Sequence, residues 1–148
     1  MRLPGGLDQS DSGWTFVESI IVIAIIIILS GTVSFSAVRY LEQARIASTR
    51  AQIAAIELSL HSYYLDTGAY PTAAQGLDAL WEKPTLEPTP AGWNGPYLDR
   101  PLGADAWGSA FVYRRPGPGG LAFEVVSYGA DGMPGGSGRD ADISSAGR

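Results

Sequence analysis

The sequence predicts an α+β fold, a long N-terminal helix packed on a small antiparallel β-sheet head, and three observations carry that reading. Residues 19 to 38 hold no charged side chain, and Ile20 to Leu29 is almost continuous isoleucine and valine. Farther along, Ile46, Ile53 and Leu60 recur every seven residues with Ile56 and Tyr63 interleaved, which sets one apolar stripe on a helix. Toward the C-terminus, Ala110–Arg114 and Leu121–Val126 are rich in strand-forming residues and flank Pro116-Gly-Pro-Gly-Gly120, the pattern of a hairpin.

No proline interrupts the chain from Trp14 to about Leu65, so one helix is predicted there. A run of about 20 uncharged residues spans roughly 30 Å as a helix, the hydrocarbon thickness of a bilayer. Residues 14–38 are therefore the candidate transmembrane part, and residues 39–148 the head with the helix continuation. Asp66-Thr-Gly68 ends the helix with a C-cap glycine, and Pro71 stands just beyond. Thr72-Ala-Ala-Gln75 reads as a capping box opening a short helix to about Trp81. Lys83 to Gly108 is irregular, and Trp81, Trp93 and Trp107 are expected to fill the core and loops of the head. A third strand is compatible with the pattern but has no assigned position.

Composition excludes several function classes. The 148-residue chain has a formal net charge of −5 and no lysine or arginine cluster, so the footprint of a nucleic-acid binder is absent. It has no cysteine and one histidine, which leaves no disulfide, no thiolate chemistry and no zinc site. His61 lies in the long helix and reads as a surface or packing residue. Glu42 and Glu57 read as solvated helix charges, and the C-terminal aspartates lie among glycines that would hold a hydrolytic pair poorly. The reading is not an enzyme. A small head without disulfides calls for another staple, and a bound metal is one candidate.

The apolar run does not resemble an ordinary removable signal. Met1 to Ser12 sets Arg2 against Asp8 and Asp11, so the leading segment is not basic, and the run is longer than a signal core. A cut near Ser34-Phe-Ser-Ala37 is the alternative to a permanent anchor. Glu18 lies at the edge of the uncharged span, where a carboxylate is costly unless paired or neutralised. It either faces headgroups at the end of the helix or pairs with a positive charge brought by a partner.

Gly13-Trp-Thr-Phe-Val-Glu18 followed by the apolar run resembles the prepilin-type leader of type IV pilin-like proteins. Tyr70-Pro-Thr-Ala-Ala-Gln-Gly-Leu-Asp-Ala-Leu80, Lys83-Pro84, Gly92-Trp93, Gly95-Pro-Tyr-Leu98 and Asp105-Ala-Trp-Gly108 follow in order. Together they are similar to the major pseudopilin, or G subunit, of type II secretion systems. The resemblance implies a type IV pilin-like fold and removal of leader 1–13 by a prepilin peptidase that cuts after Gly13 and methylates Trp14. It implies that Glu18 pairs with the N-terminal amine of a neighbouring subunit. The implied partners are copies of the chain itself, minor pseudopilins, an inner-membrane assembly platform and the lipid bilayer, with no nucleic acid. The implied location is the cell inner membrane, single-pass with a periplasmic head, as a filament subunit that drives export of folded proteins across the outer membrane. A type IV pilus pilin is the alternative. The chain departs from the pattern at Trp14, usually phenylalanine, and at Phe35 and Ala106, usually proline.

Ser127-Tyr-Gly-Ala-Asp-Gly132 through Asp140-Ala-Asp-Ile143 resembles that family's calcium loop. Asp131, Asp140 and Asp142 supply carboxylates of the kind calcium prefers, on a chain whose glycines allow tight turns. The resemblance implies carbonyls of Tyr128 and of Met133 or Pro134 as further ligands. A solvated acidic turn is the alternative. Gly135-Gly-Ser-Gly-Arg-Asp140 fits a calcium nonapeptide only as a single copy, and an EF-hand fails for lack of its glycine and twelfth acidic residue.

Overall fold

A computed structural model describes residues 15–147, except for the side chains of residues 31–36. The leader 1–13 and Trp14 therefore lie outside the described residues. Helix α1 runs from Phe16 to Thr67, starting two residues later and ending two later than the pattern predicts. Gly68, at φ +76°, donates its N–H to the Tyr64 carbonyl at 2.8 Å and stops the helix where the glycine was expected to.

The chain divides into two compact units at Tyr40 and Leu41. In the first, the described side chains from Ile20 to Leu29 are mostly exposed, Ile28 at 66%. Among the described residues, no helix is long and apolar enough to cross a membrane, and residues 31–36 of the expected span are not among the described side chains.

The second unit holds the core. The stripe of α1 is buried there at Ile53, Ile56, Leu60 and Tyr63, with Ile46 half-buried at its start. Leu77, Leu80, Phe111, Phe123, Val125 and Ile143 complete the cluster. Thr49 occupies the stripe position between Ile46 and Ile53 and is fully buried. The 3₁₀ turn Leu77–Leu80 and the sheet supply the other walls, whereas a second 3₁₀ turn, Pro118–Gly120, is exposed in the hairpin.

The sheet has three antiparallel strands in the order β1-β2-β3, with β1 at Val112–Arg114, β2 at Glu124–Ser127 and β3 at Ile143–Ser144. Tyr113 faces Val125 across the first ladder, and Ser127 faces Ile143 across the second. The expected hairpin forms, but its strands are shorter than the apolar runs. Gly117 donates to the Leu121 carbonyl (2.9 Å) and Leu121 to that of Pro118 (3.2 Å), so 117–121 closes on itself and pairing begins only at Glu124. The unassigned third strand is β3, two residues long.

The capping box forms in both directions: Thr72 N–H donates to Gln75 Oε1 at 2.8 Å and Gln75 N–H to Thr72 Oγ1 at 3.1 Å. It closes a turn, and the short helix expected to about Trp81 is the 3₁₀ helix Leu77–Leu80, which begins only after Gly76, at φ +62°, ψ −163°, has broken helical geometry. The Gln75 amide instead donates to the carbonyls of Leu86 (2.8 Å) and Pro88 (3.0 Å), holding the irregular segment.

Trp81, Trp93 and Trp107 are half-buried rather than enclosed. Trp93 donates Nε1–H to the Ala79 carbonyl at 2.9 Å and meets Tyr97 edge-on. His61 packs edge-on to Tyr70 and Phe123, with Nδ1 3.0 Å from the Tyr70 hydroxyl. Tyr113 donates its hydroxyl to the Pro71 carbonyl at 2.8 Å, and burial pushes that hydroxyl up to about 12.

Candidate functional site

Three groups of residues were singled out by the sequence, and the structure treats each differently. At the helix start, Thr15 acts as a cap. Its hydroxyl accepts the Glu18 N–H at 3.3 Å, and its carbonyl accepts the Ser19 N–H at 3.1 Å. Thr15 and Glu18 have the spacing of a capping box, a signal the sequence reading passed over. Glu18 is exposed in the first turn, where a carboxylate also opposes the positive end of the helix dipole. Gly13 and Trp14 lie outside the described residues.

The Asp105-Ala-Trp-Gly108 motif proves to be an organiser. Asp105 is buried, yet its carboxylate is saturated: Oδ1 accepts the N–H groups of Trp107 (3.0 Å) and Ser109 (2.8 Å), and Oδ2 accepts the Ser127 hydroxyl (2.5 Å). A buried carboxylate needs such partners to offset its lost hydration. Ala106 N–H reaches Thr49 Oγ1 on α1 at 3.4 Å, and Trp107 Nε1–H reaches Glu42 Oε1 at 3.2 Å. Glu42 is thus half-buried and engaged, a correction to its reading as a solvated charge.

Strand β2 carries a second buried acid. Glu124 accepts Arg114 Nη1–H at 2.9 Å and the Ser144 hydroxyl at 2.6 Å, joining all three strands through side chains. Arg114 also donates to the Tyr128 hydroxyl at 2.7 Å, which ties the first residue of the acidic loop to the sheet. The Glu124 side-chain interaction across the sheet lay hidden in the sequence, where an acid in a strand pattern reads as solvent-facing.

The acidic loop folds back on itself. Ala130 N–H donates to the Arg139 carbonyl at 3.1 Å, which brings the Asp131 and Asp140 segments side by side. Gly129, at φ +65°, leaves no room for a side chain: a Cβ there would lie 2.8 Å from the Ala141 carbonyl oxygen. At Gly136 a Cβ would lie 2.3 Å from the Asp140 carbonyl oxygen. The loop is therefore a glycine-lined cradle, closed so tightly on its own backbone carbonyls that Gly129 and Gly136 admit no side chain.

Its carboxylates each have a local partner. Asp131 accepts the Met133 N–H at 3.0 Å, Asp142 accepts the Gly135 N–H on both oxygens at 3.0 Å, and Asp140 lies 3.4 Å from Arg139 Nε. Met133 and Pro134 are exposed, and Tyr128 is half-buried. Among the described residues no three acidic or histidine side chains form a ready-made metal cluster. The donor chemistry, hard oxygens from carboxylates and carbonyls around a glycine cradle, nevertheless suits calcium.

Comparison with known proteins agrees with the motifs. Residues 36–146 match the model of the family described as type II secretion system (T2SS), protein G. The chain is similar to type II secretion system core protein G of Pseudomonas aeruginosa, 40% identical over 135 residues that cover 91% of this chain and 94% of the relative. It is similar to the same protein of Vibrio cholerae, 38% identical over 136 residues, 91% of each chain. Among solved structures, the crystal structure of the major pseudopilin from the type 2 secretion system of enterohaemorrhagic Escherichia coli matches with a TM-score of 0.60 and 34% identity, covering 70% of this chain and 87% of that one.

Proposed function

The chain belongs to the type II secretion system protein G family, so it is a structural subunit of the secretion pseudopilus and not an enzyme, and we propose that it works by polymerising through its N-terminal helix. The protein is associated with the cell envelope as part of this system, and a type IV pilus pilin is not favoured. The observation behind the polymerisation reading is the uncharged run 19–38, which precedes the family's head motifs in the sequence.

In this proposal a prepilin peptidase removes residues 1–13 after Gly13 and methylates Trp14. Residues 14–38 hold the subunit in the inner membrane with its head in the periplasm, and then pass into the filament core. A carboxylate at the rim of hydrocarbon is stabilised by an amine, so Glu18 of one subunit faces the Trp14 amine of the next. Copies of the chain, minor pseudopilins and the inner-membrane assembly platform are the partners, and extension of the filament moves folded proteins across the outer membrane.

Calcium belongs to the same proposal. Asp131, Asp140 and Asp142, with carbonyls of Tyr128 and of Met133 or Pro134, would hold it, drawing in carboxylates that now make only local contacts. The ion supplies positive charge against three aspartates, which lets acidic heads pack together. What supports this is the oxygen-rich, closed loop around Gly129 and Gly136.

Mass spectrometry of the mature protein is the test of the leader. A chain beginning at methylated Trp14 is expected, whereas an intact Met1 or a cut near Ala37 overturns it. Glu18→Ala is expected to insert in the membrane but not to form filaments, and normal filaments from that variant would sink the pairing.

A further inference from the structure

We infer that Asp105 is a positioning residue for the C-terminal acidic loop, acting through Ser127; the affinity arm of its test rests on the calcium reading above. An aspartate closing a turn needs one oxygen, and Oδ1 already serves the N–H groups of Trp107 and Ser109. Oδ2 is used for something else. It reaches across 22 residues to the hydroxyl of Ser127, the last residue of β2, at 2.5 Å in a fully buried contact.

Ser127 passes the connection on. Its hydroxyl oxygen accepts the Gly129 N–H at 3.3 Å. Gly129 is the residue wedged against the carbonyls of Arg139 and Ala141, and the next residue, Ala130, makes the hydrogen bond to Arg139 that closes the loop. The other side of the Asp105 turn is fastened to α1, by Ala106 N–H on Thr49 Oγ1 (3.4 Å) and by Trp107 on Glu42 (3.2 Å). A continuous line therefore runs from α1 through Asp105 and Ser127 to the two ends of the acidic loop.

The arrangement has a physical use. Of the loop's own carboxylates, Asp131 and Asp142 are exposed and Asp140 is half-buried, and all three make only contacts within the loop, so they do not hold its shape by themselves. Its base is what a buried, anionic, doubly anchored group can fix. Groups that orient ligand-bearing residues without touching the metal commonly account for 10- to 100-fold in affinity. A loop already ordered at its base also loses less conformational entropy when it closes on a ligand.

The experiment uses the full chain in detergent micelles and the variants Ser127→Ala, Asp105→Asn and the double. Backbone ¹⁵N order parameters are recorded in EDTA, and calcium affinity by titration calorimetry with calcium chloride. In Ser127→Ala the order parameters of Gly129 and Ala130 are expected to fall from about 0.85 to below about 0.6, while Leu60 in α1 stays near the rigid value. Calcium affinity is expected to drop about tenfold or more in each single variant. The double variant is expected to be no more than about twofold weaker than Asp105→Asn alone, because two residues acting as one link do not add.

Unchanged order parameters at Gly129 and Ala130 in folded Ser127→Ala would overturn the inference, as would unchanged calcium affinity. Should the wild-type chain bind no calcium, the calcium reading falls and the order parameters alone judge the link. Should Asp105→Asn fail to fold, Ser127→Ala decides, since it leaves both N–H bonds of the Asp105 turn in place.

Discussion

Strand β2 and the loop that follows it are neighbours in sequence and opposites in how they treat polar groups. In β2 every residue is buried, and its two polar side chains are each saturated, Glu124 by Arg114 and Ser144, Ser127 by Asp105 and Gly129. In residues 131–139 every residue is exposed, and its one carboxylate, Asp131, makes a single local hydrogen bond. A buried polar group must find partners within the protein to offset lost hydration, so its geometry is fixed by the fold. An exposed carboxylate keeps water as its partner and stays available to a cation. The contrast separates the part of the head that holds shape from the part that can respond to an ion.

The largest effect expected from breaking this contrast is on the buried side. Val125→Ala, at a fully buried site, is expected to destabilise the head by about 3 kcal/mol, from two methyl groups at about 0.8 kcal/mol each and the cavity they leave. Urea unfolding measures it, and a loss below about 1 kcal/mol would mean that β2 is not the core strand. Next is the loop backbone. Gly136→Ala meets the Asp140 carbonyl as well as an unfavourable φ of +84°, whereas Gly135→Ala has open space and only its φ of +100° to contend with. The first is expected to cost about 2 kcal/mol and the second about 1 kcal/mol, and equal losses would show that the loop is not closed as described.

A smaller effect tests the sheet through pH. Burial raises the Tyr113 hydroxyl to about 12 from its ordinary value of 10.0, with Arg115 pulling the other way. Above the unfolded value the unfolded chain releases a proton that the folded chain retains, so stability falls as pH climbs from about 10 toward about 12. Thermal midpoints across that window should show the fall, and Tyr113→Phe should flatten it, leaving the share from Tyr63 and Tyr97, which burial also raises. A slope unchanged in the variant would remove Tyr113 as its source.

The smallest expected effect is on the exposed side. Asp142→Asn is expected to change stability by less than about 0.5 kcal/mol in EDTA, as surface substitutions do. With excess calcium the wild-type midpoint should rise, by the linkage between binding and folding, and that of Asp142→Asn should rise less. Equal midpoints for the wild type with calcium and with EDTA would end the calcium reading.

Much of the fold was legible because period and punctuation are local signals. The stripe Ile46, Ile53, Ile56, Leu60 and Tyr63 is the buried side of α1, and Gly68 and the Thr72–Gln75 box lie where their chemistry puts them. The short helix ends beside Trp81 as expected but starts only at Leu77, because Gly76 takes up a conformation that no neighbouring residue announces. The two-residue β3 was too short to carry any alternation. At the candidate site the loop aspartates stood out by composition and Asp105 as part of a motif, but the motif did not reveal the partners that bury Asp105, and Glu124 looked like an ordinary polar position until Arg114 and Ser144 were in view.

The sequence by itself determined the long helix, its uncharged first part, the apolar stripe, the hairpin and the membership implied by the head motifs. These depend on spacings of a few residues, which the chain carries in one dimension. Only the tertiary structure decided that Asp105 meets Ser127 across 22 residues, that Glu124 turns inward, and that Gly129 and Gly136 close the acidic loop against its own carbonyls. Those contacts join segments distant in sequence, and burial assigns their partners only once the core has formed.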